Sequence, residues 1–190
     1  MNKPNGHPNP APAWLIMMCV LVLDQLTKTM VRINIDLHDS LPILKSLFGD
    51  TFMLAHVNNT GAAFSIGFTS DLVNRWFFII TTLLAVAFII YLLYRAEHRL
   101  HVVSFGLVLG GAIGNLIDRI IYGGVTDFFS VDFPDFIMQR FPIFNVADSC
   151  IFIGVCLLLI DMIFIKDTPV APITEVISDP ESNEINSKEI

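Results

Sequence analysis

Four apolar stretches, each close to 20 residues long, decide what this chain can fold into: about Ala13 to Val31, Trp76 to Tyr94, Val102 to Ile121 and Phe144 to Ile165. A helix of ~20 residues crosses a hydrocarbon layer ~30 Å thick. Lipid offers no partner to backbone N–H and C=O groups, so such stretches must satisfy them internally, as helices. Hydrophobic residues make up 54% of the 190 residues, more than an ordinary soluble domain carries. The expected fold is therefore all-α, one membrane domain built as a four-transmembrane-helix bundle. The first stretch contains Asp24 and Lys28 and no small-residue cleavage site follows it, so it is a retained span rather than a signal peptide.

The ends and connections differ in composition. Residues 1–12 carry Pro4, Pro8, Pro10 and Pro12 and are expected to form a disordered leader before the 13–166 membrane domain. Residues 167–190 hold six acids and one lysine, a balance of −5 out of the chain's net −7, and are expected to be a disordered acidic tail. The connection at about 33–74 is long. Thr51–Val57 has strand character, Asn58-Asn59-Thr60-Gly61 supplies turn chemistry, and Ala62–Ile66 could return as a second strand. A small extramembrane β-cradle between spans one and two is expected there. The alternating Val131–Phe136 stretch is expected on the membrane surface. No basic patch suggests nucleic acid. Cys19, Cys150 and Cys156 sit in apolar runs without metal-ligand spacing, and neither a metal nor a cofactor is expected. The short second connection is basic (Arg95, Arg99), which favours cytoplasmic termini.

Tracing the chain through four crossings collects the unusual polar groups at one membrane face. Asp24 and Lys28 fall in the second half of span one and share a helix face at i,i+4. Asn59 and Gly61 lie in the connection that follows. Asn115 and Arg119, also i,i+4, end span three beside Asp118. Asp127 comes next, and span four leaves the same face with Asn145 and Asp148 in its first turns. Gly106, Gly110, Gly111 and Gly114 give span three a surface that a helix or an extended peptide could approach closely. Structural readings stand beside the functional ones. Asp24 and Lys28 could be an intrahelical ion pair, Asp118-Arg119 a solvated helix end, the glycines plain packing, Asn59-Thr60-Gly61 a turn. Asp132 and Asp135 fit surface acids, and Asp161 fits an interfacial one. Asp148 is the hardest to explain structurally, because no cation lies within helical reach in span four.

Five segments carry a resemblance: Leu23-Asp24-Gln25-Leu26-Thr27-Lys28, Asn59-Thr60-Gly61-Ala62-Ala63-Phe64, Gly110 to Arg119, Val125-Thr126-Asp127-Phe128 and Phe144-Asn145-Val146-Ala147-Asp148-Ser149. In this order, on four spans, the chain resembles the lipoprotein signal peptidases (signal peptidase II), bacterial inner-membrane aspartyl proteases. The resemblance covers roughly residues 13–166, and the acidic tail is longer than expected for the family. It implies an endopeptidase that cuts prolipoproteins before a diacylglyceryl-modified cysteine, with Asp127 and Asp148 as the catalytic pair. It implies that Asp24, Lys28, Asn59, Gly61, Gly110, Gly114, Asn115, Arg119 and Asn145 bind substrate or support the dyad. It further implies a site facing the periplasm, contact with membrane lipids and inhibition by globomycin.

The residues give that reading a mechanism. Two close carboxyl groups resist double ionisation, so one can take a proton from water while the other donates to the scissile carbonyl. Two other classes compete. A small proton-coupled transporter would use the same acids as a relay, but the polar groups do not line a path through the bilayer, and span two offers only Thr81 and Thr82. A non-catalytic scaffold would explain the glycines but not two carboxylates on facing segments.

Overall fold

The computed structural model describes residues 8–43, 45, 49, 51–61, 70–132 and 141–164. Four helices are long and apolar enough to cross a membrane: α1 (Ala11–Asn34), α2 (Asp71–Leu93), α3 (Arg99–Tyr122) and α4 (Val146–Phe164). Helix α1 begins two residues earlier than the apolar pattern suggests. Pro12 stands in its first turn, where the missing N–H is one the helix would not use. Helix α3 is central. Most of it is buried inside the protein, whereas the other three present largely exposed surfaces. Those surfaces carry Leu26, Ile33, Leu84, Phe88, Phe152 and Met162, each at least 58% exposed. So much apolar area suits acyl chains rather than water.

Close packing around α3 explains its glycines. A methyl group on Gly110 would stand 2.6 Å from Val20 Cβ and 3.0 Å from the Met17 carbonyl, and one on Gly111 would strike the Ala147 carbonyl. Without a hydrophobic force between helices in lipid, such contact distances are what hold them together. One end of the bundle is sealed by Ala13, Leu93, Val102, Phe105 and Leu109. At that end Asp161 is buried within the protein, where His101 Nε2 reaches its Oδ2 at 2.6 Å.

The opposite end carries a three-stranded antiparallel sheet in the order β1 (Ser40–Pro42), β2 (Phe52–Asn59), β3 (Val125–Val131). Strand β2 occupies the expected segment but runs on through Asn58 and Asn59. Its partners differ from expectation. The proposed return strand Ala62–Ile66 lies outside the described residues, as do most of Val131–Phe136, residues 1–7 of the leader and all of the acidic tail. The third strand comes instead from the connection between spans three and four, pairing Asn59 with Val125 and Val57 with Asp127. The cradle is thus shared by two connections, and one of them brings Asp127. Phe128 packs with Val31 and Ile35, seating the sheet on the end of α1.

Candidate active site

Strand β3 and the start of α4 meet at Phe144. Its carbonyl accepts from the Phe129 amide at 2.7 Å, and its own amide returns to Phe129 at 3.1 Å. This pairing sets the residues after β3's Asp127 beside those that open α4. Asn145 then caps α4. Its Oδ1 accepts the Asp148 N–H at 2.9 Å, while the Asp148 carboxylate accepts the Asn145 N–H at 3.2 Å. The arrangement is a capping box, with aspartate in the position usually held by glutamate. The Asn145 side-chain amide also donates to Asp127 Oδ1 at 2.7 Å. One fully buried asparagine therefore holds both aspartates.

Other donors complete each carboxylate. Asn59 on β2 gives Nδ2 to Asp127 Oδ2 at 3.0 Å. Asn115 on α3 gives Nδ2 to Asp148 Oδ1 at 2.8 Å, and its own Oδ1 accepts from Lys28 Nζ at 2.8 Å. Asp127 is 3% exposed. Burial pushes its carboxyl up to about 7, with the Asp148 charge adding to the rise and hydrogen bonds from Asn59 and Asn145 opposing it. Asp148 sits in the first turn of α4, at the positive end of the helix dipole.

Both aspartates open onto a groove of about 690 Å³, with Asn59, Gly61, Asn115 and Arg119 on its polar side. Its other wall is apolar, made by Phe141, Ile151, Phe152 and Val155 among others. Arg119 donates to the Gly61 carbonyl at 3.3 Å and lies over the Phe78 ring, and its buried Nε has no hydrogen-bond partner among the described residues.

Asp24, Lys28, Gly110 and Gly114 lie behind this groove rather than in its wall. Asp24 and Lys28 form the expected i,i+4 pair at 2.8 Å, both fully buried. Asp24 Oδ1 also accepts the Ala147 N–H, so a side chain of α1 caps α4. The expectation that Gly110 and Gly114 admit a peptide backbone is corrected. Gly110 faces Val20, and a methyl on Gly114 would come within 2.5 Å of Asp24 Oδ2, so α1 already fills that space. Sequence reasoning gave no site role to Gln25, Arg32 or Thr126, and left Asp118 as a possible solvated helix end. Asp118 is fully buried and accepts from Thr126 N–H at 2.9 Å and Gln25 Nε2 at 3.2 Å, with Lys28 Nζ at 3.5 Å. Its place four residues after Gly114, on the face that packs against α1, was the available signal. Thr126 is joined through its backbone, which no side-chain pattern marks.

Fold and site together define a multi-pass membrane protein with a buried carboxylate network opening onto an apolar groove at one end of its helices. The chain belongs to the signal peptidase II family: the family model described as Signal peptidase (SPase) II matches residues 16–164. It is 41% identical to the lipoprotein signal peptidase of Symbiobacterium thermophilum over 154 residues, covering 80% of this chain and 94% of the relative. It is 39% identical to that of Bacillus subtilis over 153 residues, covering 79% and 92%. A solved bacterial membrane enzyme superposes with a TM-score of 0.70 at 30% identity, covering 85% of this chain and 95% of its own.

Proposed function

We propose that the protein is an aspartyl endopeptidase that removes signal peptides from prolipoproteins, cutting before a diacylglyceryl-modified cysteine. The observation that carries this reading is the Asn145 side chain bonded to both Asp127 and Asp148 at one groove. Asp127, with its carboxyl pushed up to about 7, is far more often protonated near neutral pH than an ordinary aspartate. The Asp148 carboxylate takes a proton from water, and the resulting hydroxide adds to the scissile carbonyl carbon. Asp127 gives its proton to the carbonyl oxygen, forming a neutral gem-diol. On collapse, Asp148 passes its proton to the leaving nitrogen, the C–N bond breaks, and Asp127 recovers a proton from the diol. The balance is one water consumed, one carboxyl and one amine produced.

The groove supports the substrate class. Ile151, Phe152 and Val155 offer acyl chains an apolar wall beside the carboxylates. The Nε of Arg119, without a partner among the described residues, is a donor for a peptide carbonyl. Asn59, Gly61 and Asn115 line the same side, Asn145, Asp24, Lys28 and Gly114 support the dyad from behind, and Gly110 packs α3 against α1. In this reading the protein lies in the bacterial inner membrane with cytoplasmic termini and the sheet end toward the periplasm. No metal or cofactor takes part, and globomycin is expected to block the groove. The test is cleavage of a diacylglyceryl-modified prolipoprotein by purified protein, beside Asp127→Asn and Asp148→Asn. Both variants should insert in the membrane and neither should cleave. Full activity in either refutes the dyad.

A further inference from the structure

We infer that Asp118 is a positioning residue for Asp127, acting through the backbone of Thr126, as Asp24 acts on Asp148 through the backbone of Ala147. This rests on the dyad reading above. Two peptide N–H groups lie immediately before the two aspartates, and each is held by a buried carboxylate from elsewhere in the bundle. Ala147 N–H reaches Asp24 Oδ1 at 2.9 Å, and Thr126 N–H reaches Asp118 Oδ2 at 2.9 Å. Lys28 joins the two holders, with Nζ 2.8 Å from Asp24 and 3.5 Å from Asp118.

Asp127 needs such a hold because of how it is reached. Helix α3 ends at Tyr122 and is capped by Gly123, whose φ of +81° is left-handed, and Gly124 follows before β3 begins. Two glycines in succession leave the start of the strand little intrinsic stiffness. Beyond them Thr126 is tied at every polar atom. Its N–H goes to Asp118, its Oγ1 accepts from Arg32 at 2.8 Å, and its carbonyl accepts from Asn145 at 3.4 Å. Asp118 is the anchor that belongs to α3 itself, so it spans the glycine link and sets strand against helix. A simple counter-ion for Lys28 would need no such geometry, and Asp24 already stands closer to that ammonium.

Steady-state cleavage of a diacylglyceryl lipopeptide by purified protein separates the two roles, with thermal unfolding in detergent as the check on folding. Asp118→Asn keeps an oxygen for the Thr126 amide, and Asp118→Ala removes it. Displacement of Asp127 should lower kcat in Asp118→Ala on the order of 10- to 100-fold with KM within about twofold, while Asp118→Asn stays within about fivefold of the parent. Equal kcat losses in both variants, or none in either, overturn the proposal. If Asp118→Ala does not fold, replacing the 125–126 amide by an ester removes the same N–H with Asp118 intact. That chain should reproduce the loss of kcat, and unchanged kcat overturns the proposal. Asp127→Asn serves as the control, since cleavage by it sinks the dyad reading itself whatever Asp118 does.

Discussion

Asn145 and Asp148 cap one another: the Asp148 amide reaches Asn145 Oδ1 at 2.9 Å, and the Asn145 amide reaches Asp148 Oδ2 at 3.2 Å. The first turn of α4 thereby fixes the direction of one carboxylate, while the remaining Asn145 donors fix the other. Rigid placement matters more than the identity of the groups, because small misalignments of reacting atoms cost large factors in rate.

The cap and the dyad contact can be separated at Asn145. Asn145→Ala loses both and should destabilise the protein by ~1 kcal/mol, the usual effect of deleting an N-cap. Asn145→Ser keeps an oxygen for the Asp148 amide but cannot donate to Asp127. Serine should hold the melting temperature near the parent value, and both variants should lose activity on the order of 100-fold. A serine variant as active as the parent would show that the 2.7 Å bond to Asp127 is dispensable.

The raised carboxyl of Asp127 predicts how stability and activity respond to pH. Its value moves from 3.8 to about 7 in the folded protein, chiefly through burial. Between those values the folded state keeps the proton and the unfolded chain has released it. Stability therefore falls as pH rises through that window and levels off above about 7. Asp127→Asn removes the effect, so its melting temperature relative to the parent should climb across the window and then level. In the parent, kcat/KM should decline above about 7 as the acid is lost. A melting difference that stays flat with pH contradicts the shift.

Some of this was legible in the chain and some was not, for physical reasons. The spans follow from apolar length, and the Asp24–Lys28 pair from helical spacing, since both are local properties. The clustering of polar groups at one face follows from counting crossings. Strand β3 was hidden because its partner lies about 70 residues earlier, and a seven-residue strand whose three polar positions do not alternate has no distinctive period of its own. Asp118 looked equally like a solvated helix end, because its partners Gln25, Lys28 and Arg32 all come from α1. The glycines were seen, but which surface they admit depends on the helix opposite. Val20 and Asp24, not substrate, occupy those spaces.

Gly110 and Gly114 should respond differently to the same substitution. A methyl on Gly110 meets Val20, an apolar contact remote from the groove, whereas one on Gly114 meets Asp24 Oδ2 at 2.5 Å. Overpacking at either position should destabilise by ~1–3 kcal/mol. Only Gly114→Ala should also move the carboxylate that holds the Ala147 amide and so lower kcat in the folded fraction. Comparable kcat per folded molecule in the two alanine variants would show that the Asp24 contact does not reach the site.

Lys28 is fully buried between Asp24 and Asp118, and its Nζ also donates to Asn115. Removing it leaves two carboxylates without their shared cation in a region closed to water. Breaking a buried pair from one side is strongly destabilising, by ~3–5 kcal/mol, because the surviving charge stays buried. Lys28→Met keeps the length and the apolar stem, so its loss reports the charge rather than a cavity. Adding Asp24→Asn removes one orphaned charge and leaves an oxygen that still accepts the Ala147 amide. The double variant should therefore be more stable than Lys28→Met alone, with a coupling of ~1–3 kcal/mol in a double-mutant cycle. The cycle is read from unfolding in detergent, with in-membrane yield as a second measure. Additive losses would mean that Asp24 and Lys28 do not depend on each other, and the buried ion pair would then be geometry without energetic consequence.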